Sequence, residues 1–120
     1  MNILITSAGR RVSLINAFKN VSKRFNTGSK IYITDLDPVK SPASYFADNS
    51  FKIGYFNSPN YINDLLEICL KNKISIIIPT VDTELILLAN SKSLFKANGI
   101  VVVISELKLI EILRDKIKTN

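Results

Sequence analysis

The chain has 120 residues, 47% hydrophobic and 22% charged, with four Gly and four Pro, a composition and length that fit one globular domain over 1–120 and exclude disorder or a multidomain array. It holds no His and a single Cys, Cys69, which removes His/Cys zinc sites, thiol–disulfide pairs and Ser-His-Asp catalysis and fits a reducing cytoplasm. The net charge is +6, but Lys19, Lys23, Arg24, Lys71, Lys73, Lys92 and Lys96 are scattered along helical segments, as a solvated surface rather than a nucleic-acid face would have them.

Met1 to Thr6 lack the basic start and long apolar stretch of a signal peptide, and no apolar run reaches the ~18 residues of a membrane span. Instead, Asn2 to Thr6 reads as a first strand. Val12, Ile15, Phe18, Val21 or Ser22, and Phe25 then return at three and four positions, the buried stripe of a helix stopping near Thr27-Gly28. Lys30 to Thr34 is a second strand. Pro38 and Pro42 break the next connection, which should be a loop with one helical turn around Ala43 to Ala47.

A third strand is expected at Phe51 to Tyr55. Ser58-Pro59 then supplies a cap and a first-turn proline for a helix whose stripe is Ile62, Leu65, Leu66 and Cys69. Ile74 to Pro79 and Ile100 to Ile104 are strands four and five. Between them Leu85, Leu88, Ala89 and Leu94 or Phe95 mark one helix ending at Asn98-Gly99, and Leu107, Ile110, Leu113 and Ile117 mark a last one. Phe18, Phe25, Phe46 and Phe95 all fall where helix stripes should be buried.

Strand runs such as Ile76-Ile77-Ile78 are apolar at consecutive positions, as strands covered on both faces are. Alternating strands and helices with right-handed crossovers give an α/β, Rossmann-like, doubly wound five-stranded parallel sheet in three layers, with expected strand order 3-2-1-4-5. Ligands of such sheets bind beyond the carboxyl ends of the strands, where the strand order reverses.

That rule selects three loops. After the first strand, Thr6-Ser7-Ala8-Gly9-Arg10-Arg11 offers backbone N–H groups and two guanidinium groups to an anion, or is simply a tight turn with solvated arginines. Only Gly9 matches the three glycines of the dinucleotide fingerprint G-x-G-x-x-G. After the second, Asp35 or Asp37 would accept from a ribose or hold the turn before Pro38. After the fourth, Asp82 and Glu84 open a helix, Asp82 as its N-cap or a ligand contact and Glu84 free to act elsewhere. No catalytic residue and no metal site is assigned.

These segments, with Arg114-Asp115-Lys116 near the carboxyl end, together resemble the amino terminus of an ATP-grasp ligase. More narrowly they resemble the pre-ATP-grasp domain of short carbamoyl-phosphate-synthase-like proteins, over essentially the whole chain. The resemblance implies a protein that uses Mg-ATP to phosphorylate a carboxylate and passes the acyl group to an amine or another nucleophile. It implies small-molecule carboxylate and amine substrates, with Glu84 near the substrate, the Ser7 to Arg11 loop as a second contact and Lys116 against the ATP phosphates. ATP and magnesium would be held by an ATP-grasp domain expected after Asn120, so these 120 residues alone should neither bind ATP tightly nor ligate. Two other readings stand beside it: a stand-alone module for a nucleotide or anionic metabolite, and an assembly domain that forms a homodimer through its last helix.

Overall fold

A computed structural model describes residues 2–6, 15, 16, 19, 20, 23, 29–55 and 57–103, with backbone alone at 82 and 83. Five strands form one sheet: β1 (Asn2–Thr6), β2 (Lys30–Asp35), β3 (Asn49–Lys52), β4 (Ile74–Pro79) and β5 (Val101–Val102). All neighbours are parallel and the order is β3-β2-β1-β4-β5, the order expected from the sequence. The helices are α1 (Tyr61–Lys71), α2 (Asp82–Asn90) and α3 (Lys92–Ala97), and residues 15, 16, 19, 20 and 23 are also helical.

The apolar runs are explained by burial on both faces of the sheet. Ile3, Ile5, Ile31, Ile33, Ile76 and Ile78 pack with Ile15 and Ala43 on one face. Leu4, Ile77 and Val102 pack with Tyr61, Leu65, Cys69, Leu88 and Phe95 on the other. Alternate residues of each strand therefore reach different layers, and neither face is left for a polar pattern.

Several expected boundaries move. The third strand lies at Asn49–Lys52 rather than Phe51 to Tyr55, because this edge strand pairs through polar residues: Tyr32 faces Asn49 and Ile33 faces Ser50. Of the fifth, expected at Ile100 to Ile104, the described residues show Val101–Val102 as strand, and Ile104 lies outside them. Two 3-10 turns, Pro38–Lys40 and Pro42–Tyr45, replace the single turn expected after β2. Only Ala43 of the second is buried, so Phe46 stays 42% exposed instead of entering a helix stripe. Ser58 acts one turn early, its hydroxyl accepting from the Asn60 N–H at 3.4 Å, and Asn60 is the residue that precedes α1. Ser91 divides the third expected helix into α2 and α3. The last helix lies outside the described residues.

Two helix ends share one device. The Asn72 side-chain amide donates to the Ile68 carbonyl at 2.8 Å and Asn98 donates to Leu94 at 2.9 Å, and the next residue in each case is left-handed: Lys73 at φ 55° and Gly99 at φ 78°. Glycine takes this conformation freely, whereas a lysine Cβ meets the neighbouring carbonyl. Gly99→Ala should cost about 1 kcal/mol and Lys73→Gly should gain about as much. Urea midpoints that move in the same direction for both variants would contradict this.

Candidate functional site

The carboxyl ends of the strands are drawn together by hydrogen bonds between segments distant in the chain. Thr6 of β1 lies in register with Thr34 of β2 and Pro79 of β4. One residue beyond β4, the Thr80 hydroxyl donates to the Thr6 carbonyl at 2.9 Å. On the other side, the Ile53 N–H donates to the Asp35 carbonyl at 3.0 Å, which continues β3 pairing past its last strand residue. The exits of β1, β2, β3 and β4 thus sit side by side, where strand order reverses around β1.

Between them is a cavity of about 190 Å³ lined by Asp35, Leu36, Ile53, Gly54, Tyr55, Val81 and Glu84. The structure therefore brings Asp35 and Glu84 together, two residues that sequence places 49 positions apart. Asp35 also holds its turn, since its carboxylate accepts from the Asp37 N–H at 3.3 Å. Asp37 itself pairs with Lys40 at 3.9 Å on the surface and is not part of the cavity. Asp82 is the first residue of α2, with Val81 in the capping position, so the expected N-cap moves back by one. Ser7, Gly9, Arg10, Arg11 and Lys116 lie outside the described residues.

Glu84 is only 2% exposed. Its place in the first turn of α2 sets its carboxylate near the helix's unpaired N–H groups, which favour negative charge. Tyr61, at the start of α1, is also 2% exposed and approaches Glu84 from the opposite element. The approach is close enough for the phenol to interact with the carboxylate by hydrogen bonding, and for the carboxylate charge to disfavour a phenolate beside it. Burial first, and the Glu84 carboxylate second, push the Tyr61 phenol above its ordinary range.

Sequence reasoning started this helix stripe at Ile62 and so missed Tyr61. The spacing Tyr61, Leu65, Cys69 carried the signal, because residues four apart share a helix face and these are the three buried ones. Thr6 and Thr34 were also passed over. Both are fully buried, and their hydroxyls have no hydrogen-bond partner among the described residues. Alternation puts them on the same sheet face as Leu4 and Tyr32, the face that α1 covers. Beside the small cavity, a wider groove of about 840 Å³ runs between β3 and α1, past Phe51, Lys52, Asp64, Glu67 and Lys71.

Cys69 is a free, fully buried thiol, as its apolar run predicts. Burial pushes it from 9.0 up to about 12. Cys69 and Tyr61 thus stay protonated in the folded chain at pH values where the unfolded chain has released those protons. Their contribution is complete below the unfolded values of 9.0 and 10.0 and is lost as pH rises toward the folded ones. Stability should fall by about 3 kcal/mol from the thiol alone between about pH 8 and pH 11, and Cys69→Ala should flatten part of that slope. Urea titrations at the two pH values check it, and equal midpoints would refute it.

Among the described residues, no helix is long and apolar enough to cross a membrane, and no group of three or more Cys, Asp or Glu is placed to hold a metal ion. The sequence model of a family described as "PylC-like, N-terminal domain" matches residues 3–103. Comparison with curated proteins finds no match.

Proposed function

The chain belongs to the PylC-like N-terminal domains, pre-ATP-grasp domains of ATP-grasp ligases, and on that premise we propose that it forms the substrate side of a carboxylate–amine or carboxylate–thiol ligase. In this reaction a substrate carboxylate oxygen takes the γ-phosphoryl group of ATP as ADP departs, and the amine or thiol then displaces phosphate from the acyl carbon. The chain's own residues bind and orient. Glu84 and Asp35 hold the polar end of a substrate, Asp82 and the Ser7, Gly9, Arg10 and Arg11 loop complete the contact, and Lys116 meets the ATP phosphates.

The observation that carries this reading is the meeting of Asp35 and Glu84 in one cavity at the strand exits, within a segment matched by the family. By the family resemblance, magnesium and most of the nucleotide are assigned to an ATP-grasp domain of the same protein, with the small carboxylate and amine as the other partners and the cytoplasm as the compartment.

The test is ADP release by the full-length protein. Release should require a carboxylate substrate, and added hydroxylamine should trap the activated acyl group as a hydroxamate. Absence of any carboxylate-stimulated ADP release from folded, full-length protein would overturn the proposal.

A further inference from the structure

The small cavity at the strand exits shares a wall with the groove between β3 and α1. Leu36, Ile53, Gly54 and Tyr55 line both the cavity of about 190 Å³ and the groove of about 840 Å³. An apolar cavity of about 150 Å³ takes one benzene, so the smaller space admits roughly seven or eight heavy atoms. A longer ligand must leave it, and the shared wall marks the exit.

The groove offers such a ligand a carbon surface without a net charge. Its apolar lining is Phe51 of β3, Ile53 just beyond it and Ile68 of α1, and the Phe51 ring rests against Tyr32 with centroids 5.9 Å apart. At the shared wall Leu36 and Tyr55 are both large and exposed, a grouping that marks a ligand groove more than scattered apolar side chains do. The charged lining has two residues of each sign, Lys52 and Lys71 against Asp64 and Glu67, so no anion or cation is favoured by the sum.

Gly54 stands where the two spaces meet. Its backbone is outside the left-handed region, and a Cβ placed there would meet nothing within 4 Å. Neither backbone conformation nor crowding therefore requires a glycine at this position. What the missing side chain does provide is an open passage along the wall.

We infer that the groove between β3 and α1 receives the tail of a ligand whose head sits in the strand-exit cavity, that this tail is uncharged and apolar, and that Gly54 sets how long a ligand the site accepts. That the ligand is a substrate rests on the ligase reading, whereas the continuity of the two spaces rests on their shared wall. Gly54 is then a specificity-determining residue that touches the stem and not the reacting end.

The homologous alcohols n-butanol, n-hexanol and n-octanol differ only in stem length and carry no charge. Protein labelled at Phe and Tyr is titrated with each, and ring resonances are followed by NMR. Butanol should move Tyr55 and leave Phe51 in place. Octanol should move both along one saturation curve and bind at least about tenfold tighter than butanol, since each CH₂ taken up by the groove adds about two- to fourfold. Tyr45, exposed on a turn outside both spaces, is the internal control. Gly54→Leu should erase the preference for octanol while the circular dichroism spectrum stays native, because its Cβ enters open space. If that variant fails to fold, Phe51→Ala on the edge strand, read at Tyr55, should reduce the preference several-fold.

Equal affinity for butanol and octanol, or shifts at Phe51 and Tyr55 that saturate at different octanol concentrations, would overturn the inference and leave two separate spaces. An octanol preference that survives in folded Gly54→Leu, or no saturable binding of any alcohol, would overturn it as well. A preference for octanol without carboxylate-stimulated ADP release by the full-length protein would remove the ligase reading and leave this inference standing. ADP release with no such preference would do the reverse.

Discussion

Glu84→Gln is expected to lower kcat/KM of the full-length ligase about hundredfold while the domain stays folded. The substitution keeps the shape of the side chain and removes its charge at a site that is 2% exposed. Truncating or neutralising one member of a buried charge pair costs about 2–5 kcal/mol, and the loss is seen in transition-state contacts when the pair orients a reacting group. The Tyr61 phenol should respond as well, because the Glu84 charge is part of what holds it protonated. An unchanged kcat/KM with a native circular dichroism spectrum would remove Glu84 from the substrate site.

Phe95→Ala should be the most damaging single truncation for stability, costing about 4 kcal/mol and lowering the melting temperature by about 15 °C. Phe95 is fully buried in α3 against the face formed by Leu4, Ile77 and Val102. Its carbonyl also accepts from the N–H groups of Asn98 and Ile100 at 3.0 and 2.9 Å, so the ring anchors the turn that enters β5. A typical domain has only about 5–15 kcal/mol to lose. Leu94→Ala, one residue away but 42% exposed, should cost less than about 1 kcal/mol. Similar melting temperatures for the two variants would show that the core is not centred on Phe95.

Those neighbours also show what a sequence can and cannot disclose. Helical spacing from Leu85 and Leu88 admits either Leu94 or Phe95 as the next buried position, because the count depends on whether the helix runs straight through. The break at Ser91 resets the phase and selects Phe95. Strand order was legible, since alternating strands and helices with right-handed crossovers leave few arrangements. The bounds of β3 were not. Phe51, Ile53 and Tyr55 suggested a strand, but an edge strand pairs through its backbone, and Asn49 and Ser50 serve as well as any β-branched residue.

At the site, Asp35 and Glu84 were legible as acids at strand exits. That Asp35 would serve its own turn and a cavity together depends on where Leu36 and Tyr55 lie, which no local spacing encodes. Tyr61 was hidden for a different reason. An aromatic at the start of a helix reads as ordinary core, and only the approach of Glu84 from another element makes its hydroxyl chemically interesting.

The central place of β1 has a consequence for synthesis. β1 leaves the ribosome before the other strands of its sheet and needs partners on both edges, one of which, β4, begins at Ile74. Until then β1 can pair only with β2, and one of its edges stays open. The bonds that close the arrangement span the chain: the Asn2 amide donates to the Asn72 carbonyl across 70 positions, and Thr80 reaches Thr6 across 74. A nascent chain arrested before residue 74 should therefore display an unpaired, apolar strand edge and engage chaperones, and one extended past Thr80, with allowance for the exit tunnel, should release them.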